Sequence, residues 1–143
     1  MSSFQIILEE SDVDSLFSQF LGSIKFNLSK DYKTCFSKRI TDGKSRIRQE
    51  LDVELNKPIN SLDRLQGIKP QDKLLIVKIR LADPFSNEGK QSGLRCIILI
   101  DTFHSYAVLL HIYSKKDKTK LTAKEINELA YIHRCYLKSL IDQ

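Results

Sequence analysis

The chain of 143 residues predicts an α+β fold in which a small antiparallel sheet is packed by helices on one face. The first observation is the order of the segments, which runs strand, helices, three strands, helix. The second is the composition, with 41% hydrophobic and 29% charged residues, which is typical of a globular protein. The third is continuity, because no repeat or linker-like stretch divides the chain. We therefore expect one domain over residues 1–143.

The N-terminal half is predicted to begin with a strand and to continue with helices. "FQIIL", at Phe4–Leu8, is rich in β-prone residues. Ser11 is a suitable N-cap for a first helix. The apolar residues of that helix, spaced by three and four, are Val13, Leu16, Phe17, Phe20 and Leu21. A second helix is predicted over about Lys44–Leu55, ending before Pro58, and a short helical turn in residues 60–72.

Three strands are predicted to follow. "KLLIVKIRLAD", residues 73–83, alternates apolar with basic side chains and places Lys78 and Arg80 on one face. "LRCIILID", residues 94–101, and "YAVLLHIY", residues 106–113, are separated only by the short connection "TFHS". Such a short connection favours an antiparallel hairpin.

Alternation along the third of these strands predicts which of its sides faces the helices. One side consists of Tyr106, Val108, Leu110 and Ile112, and the other of Ala107, Leu109, His111 and Tyr113. The first side carries no imidazole, so it is predicted to pack against the helices. His111 and Tyr113 would then share an open face with Lys78, Arg80 and Arg95.

The last predicted element is an amphipathic helix. Thr122 and Glu125 match the S/T-x-x-E capping box at its start. Its predicted apolar stripe consists of Ile126, Leu129, Ala130, His133, Leu137, Leu140 and Ile141.

Composition and motifs exclude several classes of protein. Cys35, Cys96 and Cys135 are too few and too far apart for a disulfide framework or a zinc site, and we expect them to be small buried residues. No metal is expected, because the histidines and cysteines show no ligand spacing, and no cofactor is expected, because glycine-rich phosphate loops are absent. No run is long enough to span a membrane and no secretory signal is visible, so we expect a cytoplasmic protein. The net charge of +5 is compatible with a nucleic-acid partner.

The expected open face combines cations, an imidazole and a phenol, and a run of lysines follows directly after it. These groups suit metal-independent cleavage of RNA, in which the ribose 2′-OH attacks the adjacent phosphate while a base, an acid and cations assist. The run consists of Lys115, Lys116, Lys118 and Lys120.

Structural explanations are also available for each of these residues. The lysine run can be a solvated loop, and His111 can be a hydrogen-bonded structural histidine. Lys78 and Arg80 can protect a sheet edge. His133 is better explained by packing, and Asp101 and His104 flank a turn rather than a nucleophile.

Four stretches of the chain carry a family resemblance: "VKIRL", "GLRCIILI", "YAVLLHIYSKKDKTK" and "KEINELAYIHRCYL". Together, over about residues 74–138, they resemble the RelE/HigB-type toxins of bacterial and phage-borne type II toxin–antitoxin systems. The most specific part is the order Leu-Leu-His, aromatic, Lys-Lys, spaced lysines, Glu-Ile. Two positions depart from the family pattern, since Lys78 replaces an acidic residue and Leu94 an aromatic one.

The resemblance implies a RelE-like, microbial-RNase-like fold, an mRNA endoribonuclease activity that is often ribosome-associated, and an antitoxin protein as partner. It implies catalytic roles for Arg80, Arg95, His111, Lys115 and Lys116, and RNA-binding roles for Lys78, Tyr113, Lys118 and Lys120. Two other hypotheses remain open, a non-catalytic RNA-binding or regulatory protein of the same fold and a protein-interaction module whose basic face binds an acidic partner.

Overall fold

The computed structural model describes residues 4–8, 41–65, 74–82, 93–115 and 120–141. Its strands are β1 Gln5–Ile7, β2 Asp63–Arg64, β3 Leu74–Leu81, β4 Leu94–Asp101 and β5 Tyr106–Ser114. Its helices are α1 Thr41–Leu55 and α2 Ala123–Ile141, with a 3₁₀ helix at Ile59–Ser61. The strands form one sheet in the order β1-β5-β4-β3-β2. The α+β class is therefore confirmed.

The sheet is mixed rather than antiparallel. Strands β2 to β5 are antiparallel, including the predicted β4–β5 hairpin. Strand β1, however, runs parallel to β5, with Gln5 opposite Tyr106 and the Gln5 N–H donating to the Ser105 carbonyl at 2.7 Å. The prediction of a purely antiparallel sheet is wrong because the first strand pairs with the last one in the same direction.

The two helices lie on opposite faces of the sheet, so the prediction of helices on one face is also wrong. Helix α1 buries Ile47 and Leu51 against alternate residues of β4, Cys96 and Ile98 among them. Helix α2 packs against the intervening residues, which include Ile97. Strands β3, β4 and β5 are almost completely buried because both of their faces are covered.

A β-bulge in β5 changes the predicted alternation. Ile97 of β4 pairs with His111, whereas Ile98 pairs with Leu109, so Leu110 is an additional residue in β5. The side chains on the α1 face are therefore Ala107, Leu109 and Ile112, and those on the α2 face include Val108, Leu110 and Tyr113. The predicted faces are wrong beyond the bulge, because Ile112 lies with Ala107 and Leu109 whereas Tyr113 lies with Val108 and Leu110. The strand was assumed to be regular.

Other boundaries follow the sequence closely. The predicted strand at Phe4–Leu8 contains β1, and the second predicted helix corresponds to α1, which begins three residues earlier at Thr41. The helical turn predicted in residues 60–72 is found only in part, as the 3₁₀ helix at Ile59–Ser61. Residues 63–64 form the short strand β2, which was not anticipated, and residues 66–72 lie outside the described residues. The helix predicted after Ser11 lies outside the described residues. Neither described helix combines the length and the apolar character that crossing a membrane requires.

Helix α2 begins as its capping box predicts. The Thr122 N–H donates to Oε1 of Glu125 at 2.9 Å, and the Glu125 N–H donates to Oγ1 of Thr122 at 3.2 Å. The buried side of the helix is rotated slightly from the predicted stripe, because Ile132 and Tyr136 are buried while Leu137 is only partly so.

Candidate nucleic-acid interface

Three of the predicted site residues lie side by side on the α2 face of the sheet. Arg80 of β3 pairs with Arg95 of β4, which in turn pairs with Tyr113 of β5. We call these residues the arginine row. Directly opposed residues of antiparallel strands have Cα atoms about 4.5–5.5 Å apart, so the side chains of Arg80 and Arg95 leave the backbone at neighbouring positions. Like charges placed opposite one another destabilise a sheet, so the pairing of Arg80 with Arg95 points to a role other than stability.

Arg80 is the solvent-facing member of the row. Its side chain is 47% exposed, and its Nη1 lies 3.0 Å from Oδ2 of Asp63, which is itself half exposed. The Asp63–Arg80 pair is a surface ion pair, and such pairs contribute little to stability. Its carboxylate orients the guanidinium group but leaves it accessible to a ligand.

Arg95 and Tyr113 lie deeper. Arg95 is 5% exposed, and its Nη1 donates to the Leu94 carbonyl at 3.3 Å. Burial and the neighbouring Arg80 hold the pKa of Arg95 below its ordinary value, although a guanidinium group stays charged at neutral pH. Burial raises the pKa of Tyr113, against an opposing effect of Arg95, so its phenol is protonated at neutral pH. The row therefore contains two cations and one proton donor.

The next row on the same face of the sheet contains Lys78, Ile97 and His111. Lys78 is half-buried, and His111 is completely buried beneath α2. The bulge turns His111 toward this helix, and its ring centroid lies 5.6 Å from that of Tyr113. All five predicted residues of β3, β4 and β5 thus share one face. The prediction that this face is open is wrong, because Arg95, Tyr113 and His111 are all buried on the side that α2 covers.

Glu125 is a site residue that the sequence indicated only as a helix cap. Its Oε2 lies 3.3 Å from Nε2 of His111, while its Oε1 accepts the Thr122 N–H. Glu125 is 7% exposed, so the contact brings a carboxylate and an imidazole together in the interior. No sequence pattern predicts this contact, because it joins a strand to a helix across the fold.

Two of the four lysines of the run can be placed. Lys115 is exposed, and its N–H donates to the Gly93 carbonyl at 3.1 Å, which brings the end of β5 beside the start of β4. Lys120 is exposed just before α2. Lys116 and Lys118 lie outside the described residues. Lys115 adds a cation near the end of the sheet that carries the arginine row.

The opposite end of the sheet contains a separate polar cluster centred on Asp101. Its Oδ1 accepts the N–H groups of Phe103 and His104, and its Oδ2 accepts the Tyr136 hydroxyl at 2.8 Å. The same Oδ2 lies 2.7 Å from Nδ1 of His104. Asp101 therefore connects the β4–β5 turn, in which Ser105 has a positive φ of 59°, to helix α2. These contacts explain Asp101 and His104 as structural residues.

The remaining candidates also have structural environments. His133 is buried and its Nε2 lies 3.2 Å from the Leu74 carbonyl, as expected for a packing histidine. Cys96 is buried, whereas Cys135 is only partly so, and Cys35 lies outside the described residues. Within the described ranges no group of three or more histidine, cysteine or acidic residues could hold a metal ion.

Comparison with known proteins yields no relative. No protein-family model matches the chain, and no curated protein or solved structure shows significant similarity to it.

Proposed function

We propose that the chain is the toxin of a type II toxin–antitoxin pair with a RelE-like fold, and that it cleaves mRNA as a metal-independent endoribonuclease. The observation that supports the proposal is the arginine row, which places Arg80 and Arg95 directly opposite one another. Two opposed cations destabilise an empty sheet but suit a bound phosphate, because each planar guanidinium group can bind two phosphate oxygens.

The proposed reaction needs no metal ion. A base removes the proton of the ribose 2′-OH, the resulting oxygen attacks the adjacent phosphorus, and the bond to the 5′-oxygen breaks as that oxygen takes up a proton. The products are a 2′,3′-cyclic phosphate and a 5′-hydroxyl. Arg80 and Arg95 would stabilise the charge that develops on the phosphate, with Lys115 contributing from the end of β5. Tyr113 lies beside Arg95 and keeps its proton at neutral pH. We therefore take Tyr113, rather than His111, as the proton donor.

The test is an RNA cleavage assay in EDTA with end-labelled substrate. Arg80→Ala and Arg95→Ala should each reduce the cleavage rate by about 10²–10³, the usual effect of removing one transition-state donor. Arg46→Ala, an exposed cation on α1 across the sheet, is the matched control and should cut normally. Cleavage of an all-2′-deoxy substrate, or products with a 3′-hydroxyl, would contradict the mechanism.

The proposal also includes a protein partner and a cellular setting. An antitoxin would neutralise the toxin in the cytoplasm, and the cleavage of mRNA would be ribosome-associated in the cell. Induced expression in a bacterium should stop growth with loss of mRNA, and Arg95→Ala should relieve the arrest. Indifferent growth with both proteins would contradict the toxin function.

A non-catalytic RNA-binding protein of the same fold is the second candidate. The observation in its favour is that His111 is completely buried and lies against Glu125, so its ring is not presented to a substrate. This candidate predicts salt-sensitive RNA binding that depends on Arg80, without cleavage even when ribosomes are added. Binding and cleavage measured on the same RNA therefore separate the two functions.

A further inference from the structure

Helix α2 carries a second basic surface on the side turned away from the sheet. The outer face of α2 is defined by five of its exposed residues, Lys124, Asn127, Tyr131, Arg134 and Lys138. At 3.6 residues per turn these five positions fall within an arc of about 80°. The buried residues of α2, which include Leu129 and Tyr136, lie on the opposite side. The helix therefore presents one continuous face to solvent.

The outer face is basic. It contains three cations, one amide and one aromatic ring, and no carboxylate. Tyr131 is 40% exposed although it is a large aromatic residue, and Cζ of Arg134 lies 5.7 Å from the centre of its ring. An arginine beside an accessible ring offers both a phosphate ligand and a stacking surface.

The outer face is also placed close to the proposed site. The first turn of α2 contains Glu125, which contacts His111 in the row next to Tyr113. The last turns contain Tyr136, which contacts Asp101 at the other end of the sheet. From Lys124 to Lys138 the helix extends about 21 Å at 1.5 Å per residue. A strand of RNA bound at the arginine row could therefore continue along α2.

We propose that the outer face of α2 is a second RNA-binding surface, which holds single-stranded RNA through its phosphates and stacks a base on Tyr131. This inference depends on the proposed function only for the choice of RNA as the ligand. The cations account for phosphate binding, which is independent of sequence. The ring and its neighbouring arginine favour an unpaired strand, because unstacked bases bind to aromatic rings and guanidinium planes.

An acidic protein is the competing ligand for a basic helix face. Charge alone would suit both ligands, but an acidic peptide has no bases to stack on Tyr131. The two are therefore distinguished by the role of the ring, which matters for RNA and not for a string of carboxylates. An exposed aromatic residue in the middle of the cations is the reason to prefer RNA.

The experiment measures binding of a short 2′-O-methyl RNA oligonucleotide, which cannot be cleaved through the 2′-OH. The triple variant Lys124→Gln, Arg134→Gln, Lys138→Gln removes three charges from the outer face. The control variant Arg46→Gln, Lys57→Gln, Arg64→Gln removes three exposed charges from α1 and the segment after it. We expect the first variant to bind more weakly, with a log–log salt slope lower by about two, and the control to bind normally. Equal weakening in both variants, or in neither, would overturn the proposal.

A second variant tests the stacking contact. Tyr131→Leu keeps an apolar helix-forming residue and should weaken binding of the single-stranded oligonucleotide at least about fivefold, with little effect on a duplex of the same sequence. Unchanged affinity, or equally tight binding of oligoglutamate, would overturn the proposal in favour of an acidic protein ligand.

Failure of this inference can be told apart from failure of the proposed function. A dinucleotide substrate is too short to extend from the arginine row along the outer face of α2, so a functional enzyme with the triple substitution should still cleave it at the wild-type rate. If the wild-type protein cleaves no RNA but the triple substitution still weakens binding, the outer face stands and the enzymatic proposal fails. Circular dichroism and thermal unfolding of each variant verify that α2 is intact.

Discussion

Nε2 of His111 lies 3.3 Å from Oε2 of Glu125, and both side chains are buried between the sheet and helix α2. The other carboxylate oxygen of Glu125 completes the capping box with Thr122. One side chain thus fixes the start of the helix and connects it to the bulge of β5. Because these two tasks use different oxygen atoms, they can be separated by substitution.

Substitutions at Glu125 should separate the cap from the contact with His111. Thr122→Ala removes one half of the cap and should lower the free energy of unfolding by about 1 kcal/mol. Glu125→Gln keeps an oxygen for the Thr122 N–H but removes the charge that faces His111. Glu125→Ala removes both the cap oxygen and the contact with His111, and should lower the free energy of unfolding by about 2–3 kcal/mol. Urea unfolding measures all three. If Glu125→Ala costs no more than Thr122→Ala, the contact with His111 contributes nothing to stability.

The contributions of Asp101 and Tyr136 to stability should be strongly coupled. Tyr136→Phe removes one hydrogen bond to a buried carboxylate and should cost about 1.5–3 kcal/mol. Asp101→Asn weakens contacts to the turn and to Tyr136 together and should cost about 3–5 kcal/mol. The double variant should cost less than the sum of the two single losses. Strict additivity in urea unfolding would show that the two side chains do not interact energetically.

His133 should make stability depend on pH. Burial disfavours its charged form and holds its pKa below the ordinary value of about 6.5. On acidification the unfolded chain therefore binds the proton first, so the contribution to stability is present above pH 6.5 and is lost as the pH falls below it. His133→Gln should show a smaller loss between pH 7 and pH 5 in urea unfolding.

The control for the pH experiment is His104→Gln, which removes a different histidine and leaves His133 in place. It should keep the part of the pH dependence that His133→Gln loses. If the free energy of unfolding falls equally between pH 7 and pH 5 in the wild type and in His133→Gln, His133 is not the source of the pH dependence.

We expect Arg95 to contribute to RNA binding without stabilising the fold. Arg95→Met removes a buried cation placed opposite Arg80, together with its 3.3 Å hydrogen bond to the Leu94 carbonyl, while keeping a long side chain. Because relief of the repulsion offsets the lost hydrogen bond, we expect a stability within about 1 kcal/mol of the wild type, with RNA binding strongly reduced. The matched control is Arg48→Met, because Nη1 of Arg48 donates to the Ile6 carbonyl at 2.9 Å and its loss should destabilise the fold. Thermal unfolding with an RNA-binding titration measures both effects, and equal destabilisation by the two substitutions would contradict the prediction.

The hairpin strands and α2 could be predicted because their patterns are local. Long apolar runs joined by a short connection specify β4 and β5, and Thr122 with Glu125 specifies the start of α2. The common face of Lys78, Arg80 and Arg95 follows from alternation within strands β3 and β4 and from their register.

The features that escaped prediction depend on contacts between distant segments. An extra residue at Leu110 leaves no mark in the composition of the strand, so the faces beyond it could not be assigned. The parallel pairing of β1 and the placement of α1 and α2 on opposite faces depend on how the chain crosses the sheet. The contact of Glu125 with His111 requires that crossing as well.

Helix α2 is held to the sheet by polar contacts at both of its ends. Glu125 contacts His111 near the first turn, whereas Tyr136 bonds Asp101 and His133 lies against the Leu74 carbonyl near the last turns. An apolar interface alone would tolerate sliding of the helix by a turn, but sliding here would leave buried polar groups without partners. The helix therefore has a single docking position, and any protein that displaced it would have to break the contacts at both ends together.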